Sequence, residues 1–178
     1  MNFNSFSPPQ RAGTTEHIAT SIVRKLQDAN QTLGVAESLT GGGVMSAVTS
    51  IPGSSAVFNG GVVSYATGVK KEILGVDEEL IAREGVVNSE VARQMAMGAR
   101  RVTSHGNSKT TWGMGTTGVA GPASQDNKPA GTVYIGIACP NRSWARGPYN
   151  FTGSRDEIRR ATVKESLFLL EDAMEGYI

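Results

Sequence analysis

Apolar residues recur at Ile18, Ile22, Val23 and Leu26. This three-and-four spacing predicts an amphipathic helix over residues 16–30. The pattern then shortens to an apolar run, 32–36, suited to a buried strand. That run passes directly into Glu37-Ser38-Leu39-Thr40-Gly41-Gly42-Gly43, with a second helix expected over 42–50. Strand, glycine-rich turn, helix is the layout of α/β proteins that carry a site at a strand's carboxyl end. Further strands are expected over 58–66, 110–117, 131–138 and 144–151, with helical turns over 69–74. Asp77 can cap a short helix, and Asn88 or Ser89 a longer one reaching Val102. Ser154 and Glu157 form a capping-box pattern, followed by an apolar face of Ile158, Ala161, Leu167, Leu170 and Met174. The expected fold is a single three-layer α/β/α domain around a sheet of about five strands, with no internal repeat and no dividing linker.

Composition agrees with one domain. The chain has 178 residues, of which 39 % are hydrophobic and 19 % charged, enough to build one core without wholesale disorder. Seventeen basic and 16 acidic residues leave a formal charge of +1, which argues against nucleic-acid binding by bulk electrostatics. The lone Cys139 excludes an internal disulfide and a cysteine-cluster zinc site, and its apolar surroundings point to packing. His17 and His105 are far apart and neither belongs to a ligand-spaced pair, so a histidine triad or metal centre has little basis. No apolar stretch is long enough to span a membrane, and residues 1–15 lack the apolar core of a signal peptide. They read as a flexible tail on a soluble, cytoplasmic domain occupying 16–178.

Four segments could carry chemistry. Ser38 to Gly43 reads either as a backbone cradle for phosphate or another oxyanion, or as a tight turn capped by Ser38 or Thr40. It is no Walker loop, because no Lys-Ser/Thr pair follows the glycines. Pro52-Gly53-Ser54-Ser55, Val63-Ser64-Tyr65 and Lys70-Lys71 supply serines, a tyrosine and lysines. With histidine and cysteine unhelpful, a serine activated by a desolvated, neutral lysine is one route to amide hydrolysis. Taken blindly, the same residues are a serine turn, a strand aromatic and a surface lysine. Gly115 to Pro122 reads as an oxyanion-binding or ligand-lining loop, or as a plain glycine-rich connection. Arg155 and Arg159 share a helix face near an N-terminus, where they oppose the helix dipole. They point to an anionic ligand or to a solvated face balanced by Asp156 and Glu157.

Together the segments carry a resemblance. Ala36-Glu37-Ser38-Leu39-Thr40-Gly41-Gly42, Pro52-Gly53-Ser54-Ser55, Val63-Ser64-Tyr65 with Lys70, Glu84-Gly85-Val86-Val87, Thr117-Gly118-Val119-Ala120-Gly121-Pro122 and Lys128-Pro129-Ala130-Gly131-Thr132-Val133-Tyr134 follow one another in order. This order resembles the CinA C-terminal domain family, whose stand-alone bacterial members are nicotinamide-mononucleotide deamidases. The resemblance covers residues 16–174. It implies hydrolysis of the carboxamide to nicotinic acid mononucleotide and ammonia, within the pyridine nucleotide cycle, with no metal or cofactor.

The resemblance also implies a Ser/Lys dyad with Ser55 as nucleophile and Lys70 as general base, and with Ser38 and Tyr65 orienting groups and relaying protons. Thr117 and the loop from Gly118 to Gly121 would line the amide pocket, with Thr40, Gly41 and Gly42 close to the ligand. Arg155 and Arg159 match the family's Gly-x-Arg-x-x-x-Arg pattern, and their charge suits the substrate phosphate. Glu37 is expected to face the pyridinium cation. A homodimer is implied, with a small-molecule nucleotide as partner and neither nucleic acid nor membrane. Ala123 to Asn127 departs from the family's glycine-rich loop, so pocket shape is expected to differ there. The larger N-terminal domain of full-length CinA has no counterpart here, so its nucleotide-pyrophosphatase activity is not expected. The competing class is a non-catalytic nucleotide- or partner-binding module on the same fold.

Overall fold

The computed structural model describes residues 12–176. Its elements run α1 (Thr15–Asp28), β1 (Leu33–Glu37), α2 (Gly43–Thr49), a single 3-10 turn (Ser54–Ala56), β2 (Phe58–Val63), α3 (Thr67–Glu72), α4 (Glu78–Glu84), α5 (Ser89–Thr103), β3 (Trp112–Gly118), β4 (Thr132–Cys139), β5 (Arg142–Asn150) and α6 (Arg155–Met174). The strands form one sheet in the order β2-β1-β3-β4-β5. β1 pairs in parallel with β2 and β3, whereas β4 and β5 continue the sheet antiparallel. The parallel half brings three strand carboxyl ends to one edge, where α/β sheets bind ligands.

Helix boundaries follow local chemistry. Thr14, Asp77 and Asn88 cap α1, α4 and α5 through their side chains, and Ser154 with Glu157 closes a complete capping box on α6. Thr14 therefore already belongs to the fold, while the rest of the expected tail, through Arg11, lies outside the described residues. Helices cover both faces of the sheet. On one, Ile22 and Leu26 of α1, Val44 of α2 and Leu167 and Leu170 of α6 bury against Val35, Met114, Ile135 and Ile137. On the other, Leu74, Val76 and Leu80 pack with Val91, Met95 and Ala99 of α5 against Ala36.

α5 lies unusually close to the sheet. A Cβ at Gly113 would come within 2.0 Å of the Ala96 carbonyl oxygen, and one at Gly136 within 2.1 Å of that of Ala92. Only glycine permits this approach. α6 differs from the expected apolar stripe, because Thr162, Glu165 and Ser166 are buried along with its leucines. The Thr162 and Ser166 hydroxyls donate to the Ile158 and Thr162 carbonyls, which removes the cost of burying them.

Candidate functional site

Strand alternation separates neighbouring residues at the end of β1. Leu33 and Val35 point to the α1–α6 face, and Glu37 continues that series. Its fully buried carboxylate accepts from the N–H groups of Gly42, Val44 and Met45 at the start of α2. Ser38 therefore turns to the opposite side. Its own N–H donates to the Thr116 carbonyl at 3.0 Å, which ties the turn to β3.

Lys70 reaches Ser38 from α3. Its side chain is 1 % exposed, and Nζ lies 3.0 Å from Ser38 Oγ, 2.6 Å from the Ser64 carbonyl and 3.5 Å from that of Tyr65. Burial pulls Lys70 down from 10.5 to about 8, against the negative charge of Asp126, which works to raise it. A neutral amine keeps two N–H donors for the two carbonyls and leaves a lone pair for the Ser38 hydroxyl proton. A serine hydroxyl and an amine that could act as its base are thus within hydrogen-bond reach of one another.

The pair opens onto a cavity of about 320 Å³ walled by Tyr65, Val86, Thr117, Gly121, Gln125 and Arg155. Arg155 donates to the Gly121 carbonyl at 2.7 Å and to the Tyr65 hydroxyl at 2.6 Å. A larger groove of about 760 Å³ along α5 is rimmed by Arg93, Arg100, Arg101 and Lys109. It holds no such nucleophile–base pair.

Several expected residues stand elsewhere. Ser55 is exposed in the 3-10 turn that precedes β2, whereas Lys70 follows the end of β2. The six-residue strand between them spans about 20 Å at about 3.3 Å per residue, so Ser55 and Lys70 form no dyad. Glu37 faces α2 and not a ligand, and it already occupies the first N–H groups of the expected anion cradle. The Thr40 hydroxyl is buried against that of Thr116 at 2.8 Å. Gly41 and Gly42 take φ of +59° and +96° and shape the turn without lining the cavity. Arg159 donates to the Leu39 and Thr40 carbonyls at 3.0 Å, so it braces the turn from behind, while Arg155 faces the cavity. Ser38, Tyr65, Lys70, Thr117, Gly118 and Gly121 do meet at one place. Within it the Tyr65 hydroxyl is held by Arg155, and the Thr117 hydroxyl donates to the Val86 carbonyl at 2.7 Å.

Comparison with known proteins bears on the family and the fold. The family model of the CinA C-terminal domain matches residues 15–174. The chain belongs to the CinA family. A CinA-like protein of Frankia casuarinae is 42 % identical over 164 residues, covering 92 % of this chain and 36 % of its own length. One from a Synechococcus strain is 45 % identical over 157 residues, covering 87 % of this chain and again 36 % of its own length. The chain thus spans little more than a third of these relatives. Among solved structures, the competence/damage inducible protein CihA from Agrobacterium tumefaciens superposes with a TM-score of 0.83 at 33 % identity, covering 96 % of this chain and 99 % of its own. A competence or damage-inducible protein from Enterobacter asburiae gives 0.85 at 26 % identity, covering 92 % and 99 %.

The structure of this CinA domain adds residues that sequence reasoning left without a role. The Ser64 carbonyl anchors the lysine, Thr116 fixes the Ser38 turn, and Asp126 reaches the turn at Val86 and Val87. Ser64 and Thr116 fall inside segments already marked, and Asp126 has a local sign in Asp126-Asn127, a turn-forming dipeptide between Pro122 and Lys128. No helix among the described residues is long and apolar enough to cross a membrane.

Proposed function

We propose that this domain is a nicotinamide-mononucleotide deamidase in which Ser38 is the nucleophile and Lys70 its general base. The observation that carries the reading is the 3.0 Å contact between a buried lysine amine and a serine hydroxyl at the mouth of a cavity. With Lys70 at about 8, roughly a tenth of it is neutral at pH 7, enough for a working base. Neutral Lys70 takes the Ser38 proton as Oγ attacks the carboxamide carbon. Backbone N–H groups after Ser38 and in the loop from Gly118 to Gly121 stabilise the oxyanion. The C–N bond breaks as the Lys70 ammonium returns its proton to the leaving nitrogen, releasing ammonia. Water then enters, gives a proton to Lys70 and attacks the ester carbon, and Ser38 departs with that proton restored. The products are nicotinic acid mononucleotide and regenerated enzyme.

Arg155 at the cavity rim suits the substrate phosphate, and the exposed Tyr65 ring beside it suits a cationic pyridinium. The family resemblance supplies the substrate class, and the geometry supports amide hydrolysis at Ser38. The test is incubation of purified protein with nicotinamide mononucleotide in the presence of EDTA, following ammonia and the nucleotide product. Ammonia and nicotinic acid mononucleotide formed one to one support the reading. Folded protein that releases neither overturns it.

A further inference from the structure

Residues 119–125 of the loop 119–131 form one wall of the Ser38 cavity, and the rest of the loop fastens that wall in place. Gln125 and Lys128 exchange both backbone hydrogen bonds, at 3.1 and 2.8 Å, closing a two-residue hairpin turn. The two central residues, Asp126 and Asn127, take φ of +50° and +56°, a left-handed conformation that Asp and Asn tolerate better than other side chains. The turn aims the Asp126 carboxylate out of the loop. One of its oxygens accepts from the N–H groups of Val86 and Val87, at 2.7 and 3.1 Å.

The receiving segment is built to match. Gly85 has φ of +77°, and a Cβ there would lie 2.4 Å from the Asp126 carboxylate, so only glycine lets the acid approach. The Thr117 hydroxyl grips the same segment through the Val86 carbonyl, and Val86, Val87 and Val119 bury together beneath it. We propose that Asp126 is a positioning residue whose carboxylate latches loop 119–131 onto the turn at residues 85–87 and so holds the cavity wall closed beside Lys70. Its charge acts there as well. Asp126 favours the protonated amine and so opposes the desolvation of Lys70. The catalytic consequence rests on the Ser38–Lys70 reading; the latch itself does not.

The test uses the full chain with Asp126→Asn and Asp126→Ala. Asparagine retains a carbonyl acceptor for the latch and removes the charge, while alanine removes both. The Lys70 ionisation is followed by NMR of 13Cε-labelled lysine, assigned with Lys70→Arg, and amide exchange is measured at Val86 and Val87. Arg155 and Tyr65 on the same cavity, and Lys71 and Glu72 beside Lys70 on α3, are unchanged in both variants. In Asp126→Asn the Lys70 midpoint falls below that of the wild type, and the pH dependence of kcat/KM moves the same way. In Asp126→Ala exchange at Val86 and Val87 quickens by about tenfold or more, as expected for an opened loop. An unmoved Lys70 midpoint in Asp126→Asn overturns the electrostatic role, and unchanged exchange in Asp126→Ala overturns the latch. Neither readout needs substrate. A wild type that releases no ammonia therefore fails the deamidase reading alone, and the two spectroscopic results still decide the role of Asp126.

Discussion

Two serine-bearing, glycine-containing turns sit at opposite ends of the parallel half of the sheet. The turn after β1 holds Ser38, and the turn before β2 holds Ser55. In composition they are nearly interchangeable; in surroundings they are not. Because β1 and β2 run parallel, segments that follow both strands meet at one edge, so Ser38 meets Ser64, Tyr65 and Lys70. Ser55 precedes its strand and lies exposed at the other edge, outside the lining of that cavity. The direction of the strands decides which hydroxyl meets Lys70.

That contrast can be broken at the base itself. Lys70→Met should lower kcat for ammonia release by about a thousandfold or more, the usual scale for losing half of a nucleophile–base unit. A variant retaining near-normal turnover would remove Lys70 from the mechanism. The pH dependence comes next. Lys70 must be neutral to act, so kcat/KM should rise about tenfold per pH unit and level off above a midpoint near 8. A flat profile between pH 6 and 9 contradicts this.

Stability should carry the same signature. The folded Lys70 titrates near 8 and the unfolded one near 10.5, so between these values the unfolded chain binds more protons. Wild type should therefore gain stability relative to Lys70→Met as pH rises through that window, by up to about 3 kcal/mol. Denaturant titrations of both proteins at several pH values measure the difference. The two arginines sharpen the comparison at smaller scale. Arg155→Ala should raise KM for the nucleotide by about tenfold with kcat little changed, since Arg155 faces the cavity. Arg159→Ala should instead cost about 1–2 kcal/mol of stability by freeing the Leu39 and Thr40 carbonyls. Equal effects of both on KM would show that Arg159 also meets substrate.

Much of the scaffold was legible in the chain. Caps at Asp77, Asn88 and Ser154, the 3.6-residue period of α1 and the short apolar runs place the elements within a few residues of where they stand. The site was legible as a set of segments but not as a set of contacts. Lys70, Ser38, Tyr65 and Thr117 line one cavity, whereas Ser55, to which the likeness attached the nucleophile, stands outside it. The cue that separates the two serines is their order relative to a strand, which matters only once parallel pairing is known. Glu37 was misjudged for a related reason. A charged residue ending a strand looks available to a ligand until alternation turns it onto the buried start of α2. The two arginines, four apart on one helix, separate because α6 passes between the cavity and the back of the Ser38 turn.

The most direct test of the account sets Ser38→Ala beside Ser55→Ala in one assay of ammonia release from nicotinamide mononucleotide, with both proteins shown to be folded. Ser38→Ala should lose activity by about a thousandfold or more, while Ser55→Ala stays within about twofold of wild type. Loss confined to Ser55→Ala, with Ser38→Ala active, would contradict the Ser38–Lys70 pair.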